Sequence, residues 1–335
     1  MKNTEGFYKN KNVLVAGGTG TIGIALVKLL LSRGANVSVA TMDSILYVAT
    51  ILPTGCKYYR GDLCDKDFCK SILYDIDYVF DMSGAKGSIL TNEGQYSKMF
   101  VSALYLQTTL MHESFKAGIK RYLYPGSICS YPKMATEKFE DDMWNSLPEQ
   151  NDKYVGVAKR IGEMQARAYL EDGVWDGVRI IRPSNVYGPY DDFNIKTAQV
   201  IPALIARCVA GENPVVVKGN VNTIRDFVYV EDVAYWSAEI LENAPPVYPI
   251  NIGSGKPASI KDVCNIISKI FNVPFQFSDD AYSGDPIRIL STKRAIETID
   301  YKQITTLEDG IKKTVEWYLK NKDVVKLKEK FYAGQ

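Results

Sequence analysis

One histidine in 335 residues leaves almost no imidazole chemistry to consider. His112 lies in a long helical pattern with no nucleophile motif beside it, so a Ser-His-Asp mechanism has no support. The six cysteines (Cys56, Cys64, Cys69, Cys129, Cys208 and Cys264) form no CxxC pair, and with a single histidine they lack the ligand spacing of a structural zinc site. No metal is expected, and the cysteines read as reduced thiols, mostly buried. An excess of charge of one sign is also missing. Forty Lys and Arg face 39 Asp and Glu, for a formal charge of +1, which offers no broad electrostatic footprint for nucleic acid or an anionic membrane. The stretch from Met1 to Lys11 has no apolar h-region, and the Gly-interrupted run from Val13 to Val27 is too short and irregular to span a bilayer. The expectation is a soluble cytoplasmic protein with no nucleic-acid and no membrane partner.

What is present is enough apolar residue, 46% of the chain, to bury a large core. Short β-branched runs (Val13 to Ala16, Val37 to Ala40, Tyr78 to Phe80) alternate with amphipathic stretches such as Ile22 to Leu31. That alternation predicts an α/β fold, a parallel sheet with helices on both faces. Further strands are predicted at Arg121 to Tyr124, Val178 to Arg182 and Pro249 to Ile252, with long helices near Gln95 to Ala117 and Asp152 to Leu170. After Pro183 turn signals crowd the sequence, at Tyr187 to Tyr190, Gly211 to Pro214, Pro245-Pro246 and Ser254 to Pro257. The chain therefore divides into residues 1–183, a nucleotide-binding core to which some later segments return, and residues 184–335, mainly a smaller, loop-rich substrate-binding lobe. A ligand is expected in the cleft outside the carboxyl ends of the strands.

The run Val13 to Ala16 leads into Gly17-Gly18-Thr19-Gly20-Thr21-Ile22-Gly23 and then an apolar helix. Strand, glycines and helix in that order mark a Rossmann-type, doubly wound dinucleotide site. Gly17, Gly20 and Gly23 permit the turn and the close approach of backbone to pyrophosphate, with Thr21 and Ile22 opening the helix. About twenty residues on, where an acid would bind the adenosine ribose and repel a 2′-phosphate, stands Thr41. Met42 is not the arginine a 2′-phosphate favours, and Asp43 is either a ribose ligand or a solvated turn residue. The cofactor is NAD or NADP, with the balance toward NAD. Asp62 and Leu63 follow the third strand, Asp62 as an adenine partner or as a helix N-cap. Ser83, in Met82-Ser83-Gly84-Ala85, offers a small side chain where the cofactor would pass.

These segments, together with Gly126 to Pro132, Arg182 to Pro189, Arg225 to Ala234 and Gly284 to Arg288, resemble the extended short-chain dehydrogenase/reductases of the NAD-dependent epimerase/dehydratase family. Gly126 to Pro132, Val186 to Phe193 and Val200 to Leu204 are most similar to its GDP-L-fucose synthase branch. The resemblance implies a nucleoside-diphosphate-sugar substrate and a bound nicotinamide cofactor that exchanges hydride with a sugar carbon, C4 in the first instance. It implies Arg225 and Arg288 as guanidinium partners for the diphosphate. Asn185 becomes an amide for diphosphate or sugar, unless it only forms a turn, and Pro183 joins the cofactor-binding set. A homodimer built on the two long helices is also implied, with Met99, Ala103, Leu106 and Leu110 as the apolar stripe, although the same stripe suits packing on the sheet.

The family's catalytic pattern is a Ser or Thr followed by Tyr-x-x-x-Lys, and here Ser127 and Lys159 match while Val155 stands at the tyrosine position. Tyr154, five residues before Lys159, either supplies the acid/base phenol from an irregular first turn or packs beside the site. Asn151 or Asp152 would cap that turn. Gln199 stands before Val200 where the fucose synthase branch carries its catalytic histidine, and glutamine cannot shuttle a proton near neutral pH. Cys129 matches that branch's cysteine, as a proton carrier or a buried thiol. Ile128 and Cys129 replace the Asp-Glu pair that a 4,6-dehydratase needs. The reading that follows is an NAD(P)-dependent nucleotide-sugar epimerase or reductase. Two others stand beside it: a catalytically impaired protein that binds cofactor and sugar nucleotide as a sensor or regulator, and a relative acting on an apolar steroid or flavonoid.

Overall fold

The computed structural model describes residues 6–84, 96–134, 136–278, 285–301 and 305–328. Ala85, Gln95 and Gly284, all named above, lie outside them. In chain order the strands are β1 (Asn12–Ala16), β2 (Asn36–Thr41), β3 (Lys57–Arg60), β4 (Tyr78–Asp81), β5 (Arg121–Pro125), β6 (Val178–Pro183) and β7 (Asn185–Tyr187). The later ones are β8 (Val215–Lys218), β9 (Ile224–Arg225), β10 (Phe227–Tyr229), β11 (Pro249–Ile252), β12 (Ala258–Ser259), β13 (Phe275–Ser278) and β14 (Ile287–Arg288). The helices are α1 (Thr21–Ser32), α2 (Ile45–Ile51), α3 (Lys66–Ser71), α4 (Tyr96–Lys116), α5 (Lys153–Glu171) and α6 (Val200–Val209). They continue with α7 (Val230–Asn243), α8 (Ile260–Phe271), α9 (Lys293–Thr298), α10 (Leu307–Lys320) and α11 (Lys322–Leu327).

Seven strands make one sheet in the order β3-β2-β1-β4-β5-β6-β11, every pairing parallel. Because side chains alternate along a strand, β1 feeds both faces. Val13 and Val15 pack with Leu26, Val27 and Leu30 of α1 and with Trp236 and Ile240 of α7. Leu14 and Ala16 pack on the other side with Leu110 and Met111 of α4 and Ala166 of α5. This is the doubly wound Rossmann-type sheet that the alternation predicted. Its reversal of strand order, between β1 and β4, opens the crevice beside the glycine loop.

The second half is more regular than its turn signals suggested. It holds α6, α7, α8 and α10, and Ile201, Ile205, Val263, Ile267 and Ile311 share a separate core with Tyr187, Phe227 and Tyr229. Amphipathic spacing decided this: Ile260–Phe271 is opened by a capping box between Ser259 and Asp262 and buries Val263, Cys264 and Ile267. Two strand pairs, β10 with β7 and β8 with β13, and a three-stranded sheet, β12-β9-β14, complete the lobe. On α4, Leu110 turns into the sheet-facing core and Ala103 is buried, whereas Val101 and Tyr105 are 47% and 56% exposed. Among the described residues no helix is long and apolar enough to cross a membrane.

Candidate active site

The glycine loop is built by close packing. Gly17 has φ +69°, a left-handed backbone that an L side chain resists. A Cβ on Gly23 would lie 2.2 Å from the Gly17 carbonyl oxygen, so α1 can start here only without a side chain. Gly20 caps α1 without a side-chain bond, and the first turn carries no acid. The opening amides of a helix have no carbonyl of their own to bond, and the helix dipole is positive at that end. This backbone cradle, which any Cβ would fill, fits a dinucleotide pyrophosphate. From the lobe, the Tyr190 carbonyl and an Asp191 carboxylate oxygen accept from the Thr21 hydroxyl at 3.3 and 3.4 Å.

Beyond β2, Asp43 is no solvated turn residue. Its carboxylate is buried, accepts from Thr19 Oγ1 at 2.6 Å, and its N–H donates to Thr41 Oγ1 at 3.0 Å. The Thr19 and Thr41 hydroxyls lie 2.7 Å apart, so loop and strand end are tied together. Arg60, from β3, donates to the Met42 carbonyl at 3.2 Å, which brings a guanidinium to the same corner. The N-cap reading of Asp62 fails. Asp65 caps α3 through the amides of Asp67 and Phe68, while Asp62 Oδ1 accepts from the Cys64 amide at 2.9 Å in the preceding turn. Leu63 is buried in the core beneath α4, and Pro183 is buried at the end of β6. Ser83 donates its hydroxyl to Asp81 Oδ1 at 2.5 Å, and Tyr122 donates to Asp81 Oδ2 at 2.8 Å. Burial holds the Asp81 carboxyl above its ordinary value, with Ser83 and Lys159 pulling it back. Asp81 was missed in the sequence, where an acid closing the apolar run Tyr78 to Phe80 was the available signal.

At the carboxyl end of β5 the chain enters a 3₁₀ turn, Ile128–Ser130, capped by Ser127, whose Oγ accepts from the Cys129 amide at 3.1 Å. Lys159 reaches the same strand end from α5 and donates Nζ to the Pro125 carbonyl at 2.8 Å. Burial pushes its ammonium down to about 8, against the pull of Asp81, Cys129 and Glu163. Burial, with Asp152 beside it, pushes the Cys129 thiol up. A buried fork holds this wall: Arg182 donates Nε and Nη2 to Glu163 at 2.9 and 2.6 Å and Nη1 to Tyr131 Oη at 2.8 Å. Tyr154 leans on α4, its ring 5.3 Å from Tyr96 and 5.8 Å from Phe100.

Arg225 and Arg288, far apart in sequence, are register partners on the parallel pair β9 and β14. Arg288 donates Nη2 to Asp152 at 2.7 Å, and the same nitrogen lies 3.8 Å from Cys129 Sγ, which joins the lobe to the wall that carries Ser127 and Lys159. Arg225 donates to its neighbour, the Ile224 carbonyl, at 2.9 Å, and burial, with Arg288 next, pushes it down to about 10. Behind them Lys138 and Asp285 form a buried ion pair at 3.2 Å, also unforeseen. Asp152 stands at the N-cap of α5 but its side chain caps nothing, contrary to the capping expectation. Asn185 donates its amide to the Asp226 carbonyl at 2.9 Å. Gln199 stands exposed at the head of α6 without a capping bond, and Val200 packs against the lobe core.

Residues 13–253 match the NAD dependent epimerase/dehydratase family. The chain is 26% identical over 320 residues to GDP-L-fucose synthase 1 of Arabidopsis thaliana, which spans 93% of this chain and 94% of that relative. Its structure resembles that of an epimerase from Methanothermobacter thermautotrophicus, with a TM-score of 0.85, 20% identity, and 97% and 96% of the two chains covered. It also resembles UDP-glucose 4-epimerase of Thermotoga maritima, solved with UDP-glucose, with a TM-score of 0.82, 24% identity, and 92% and 99% covered.

Proposed function

The chain belongs to the NAD dependent epimerase/dehydratase family, and from that premise we propose that it epimerises or reduces a nucleoside-diphosphate sugar, with chemistry at C4. The observation that carries this reading is the pairing of Arg225 with Arg288 in register, linked through Cys129 to the wall that holds Ser127 and Lys159. Like charges side by side on adjacent strands disfavour the fold, and an anion between them reverses the sign of that interaction. Bound nicotinamide supplies the acceptor and donor of hydride. The chain's own part is to place the sugar. Arg225 and Arg288 grip the diphosphate, Asn185 adds an amide, and Ser127 Oγ hydrogen-bonds the reacting oxygen. The Lys159 ammonium holds the cofactor ribose and its charge favours oxyanion character at that oxygen. The backbone at Gly17, Gly20 and Gly23 takes the pyrophosphate. NAD is the proposed form, because a 2′-phosphate would meet the Asp43 carboxylate. A 4,6-dehydratase lacks its acid pair here, since Ile128 is a buried aliphatic residue.

A second copy of the chain is the proposed cover for Val101, Tyr105, Ile161 and Met164, exposed apolar residues of the paired helices α4 and α5. Sedimentation of the native protein and of Tyr105→Glu reads this, with a dimer expected for the first and a monomer for the second.

Turnover tests the function. The protein is incubated with NAD or NADP and a panel of UDP-, GDP-, dTDP- and CDP-sugars, or their 4-keto forms with the reduced cofactors. The expected result is nicotinamide reduction or oxidation, or an epimerised product, with one member of the panel. Arg225→Ala should weaken nucleotide-sugar affinity by about 10- to 100-fold, the worth of one charge-assisted hydrogen bond. Binding without turnover across the whole panel would restore the sensor reading, and unchanged affinity in Arg225→Ala would remove the diphosphate clamp.

A further inference from the structure

The family pattern gives proton transfer to a tyrosine four residues before the lysine, and here that residue is Val155. Residues three, four and seven positions before Lys159 return to its face of the helix: Gly156, Val155 and Asp152. Seven residues bring Asp152 to within about 20° of the Lys159 line, whereas Tyr154, five residues before, is about 140° away. The packing of Tyr154 against Tyr96 and Phe100 agrees with that rotation. Of these three residues before Lys159, only Asp152 carries a titratable proton.

Asp152 reaches the reaction wall. Its Oδ2 accepts from Arg288 Nη2 at 2.7 Å, that nitrogen is 3.8 Å from Cys129 Sγ, and the Cys129 amide is 3.1 Å from Ser127 Oγ. One turn on, a Cβ at Gly156 would lie 2.3 Å from the Cys129 carbonyl oxygen, so α5 presses directly on that turn. Both side chains of the Arg288–Asp152 pair are 15% exposed, so the carboxylate is neither sealed in the core nor free in solvent. The charged and titratable groups around it are Arg288 from β14, Arg225 from β9, Cys129 from the 3₁₀ turn and Glu149 from the preceding turn.

We propose that Asp152 takes and returns the proton of the reacting sugar hydroxyl, in place of the absent phenol, and that the substrate diphosphate frees it by competing for Arg288. This rests on the nucleotide-sugar reading above. In the oxidative direction the O–H bond breaks and its proton passes to the Asp152 carboxylate. The C–H bond breaks with both electrons leaving as hydride to nicotinamide, and the carbon–oxygen double bond forms. The sugar carbon is oxidised and nicotinamide reduced, and the reverse step restores both.

Asp152→Asn and Asp152→Glu, made in the full-length protein, test this with the sugar nucleotide that the wild type turns over. Asp152→Asn should lose at least about 100-fold in kcat. Its affinity for UDP or GDP alone, by titration calorimetry, should be unchanged or up to about 10-fold tighter, because Arg288 has lost a competitor. Asp152→Glu should keep at least about a tenth of kcat with a displaced acid limb in its pH–rate profile, and it serves as the test if the Asn variant does not fold. A kcat for Asp152→Asn within about threefold of wild type overturns the proposal, as does an unaltered pH profile in Asp152→Glu. Parallel losses of kcat and nucleotide affinity also overturn it, since Asp152 then only positions Arg288. An inactive wild type removes the nucleotide-sugar reading and this step together, whereas an active wild type with an active Asn variant removes this step alone.

Discussion

Removing the ammonium at position 159 is expected to stabilise the cofactor-free protein. Lys159 Nζ has the Pro125 carbonyl at 2.8 Å, and burial pushes its pKa from the ordinary 10.5 to about 8. The unfolded chain keeps the ordinary value, so between the two values it binds more protons than the folded state. Stability therefore rises as the pH climbs from about 8 toward 10.5, and the penalty is fully present below 8. Linkage puts that penalty at about 3 kcal/mol at pH 7, about 2 kcal/mol at pH 9 and under about 1 kcal/mol at pH 10. These are ceilings, because the side chain is half-buried and because Lys159 offsets the burial of Asp81. Urea unfolding of wild type and Lys159→Met without ligand at pH 7 and pH 9 measures the effect. The methionine variant should be more stable by about 1–3 kcal/mol at pH 7, with the gap narrowing by about 1 kcal/mol at pH 9. Its turnover should fall at least about 100-fold. A gap that ignores pH, or a variant less stable than wild type at pH 7, refutes the assignment of the penalty to a buried ammonium.

Gly23→Ala places a methyl group 2.2 Å from the Gly17 oxygen, so the loop must open. About 1–3 kcal/mol of stability should go, and NADH affinity, followed by fluorescence titration, should drop at least about 10-fold. Asp43→Asn keeps the hydrogen bonds to Thr19 and Thr41 but removes the negative charge, so the ratio of NADP to NAD affinity should rise about 10-fold by the same titration. No change in that ratio would assign cofactor choice elsewhere, with Arg60 as the first alternative.

The sheet could be read from the sequence because its strands are buried on both faces and therefore appear as apolar, β-branched runs; Pro249–Ile252 ends where its pattern ends. The short strands of the lobe could not, since β9 and β14 are two residues long and carry no period. The same distinction divides the site. Gly17 and Gly23 are required by local geometry and announce themselves. The pairing of Arg225 with Arg288 depends on two segments meeting in space, and only the family resemblance pointed to both. Asp152 is, with Asn151, one of two cap candidates in the sequence because Asp and Asn open helices well, yet its partner is a guanidinium on a distant strand. Asp43 could not be assigned from spacing, because its burial depends on Thr19 in one turn and Thr41 at the end of another strand.

A chain with a formal charge of +1 can hold a diphosphate only by concentrating its cations, and the lobe side of the cleft does so. Lys138 is matched by Asp285 at 3.2 Å and Arg288 by Asp152 at 2.7 Å, while Arg225 has no ion pair among the described residues. The Lys138 pair, at 1% and 2% exposure, is sealed and sets the position of the strands. The Arg288 pair, at 15%, can exchange its partner. Arg225 alone offers one positive charge to a ligand that carries about two. In the proposed exchange, charge balance is reached when Arg288 leaves Asp152 for phosphate, and the carboxylate it leaves stands beside Cys129. Substrate grip and proton transfer would then be two consequences of one exchange, in a site that has valine at position 155 and retains Ser127 and Lys159.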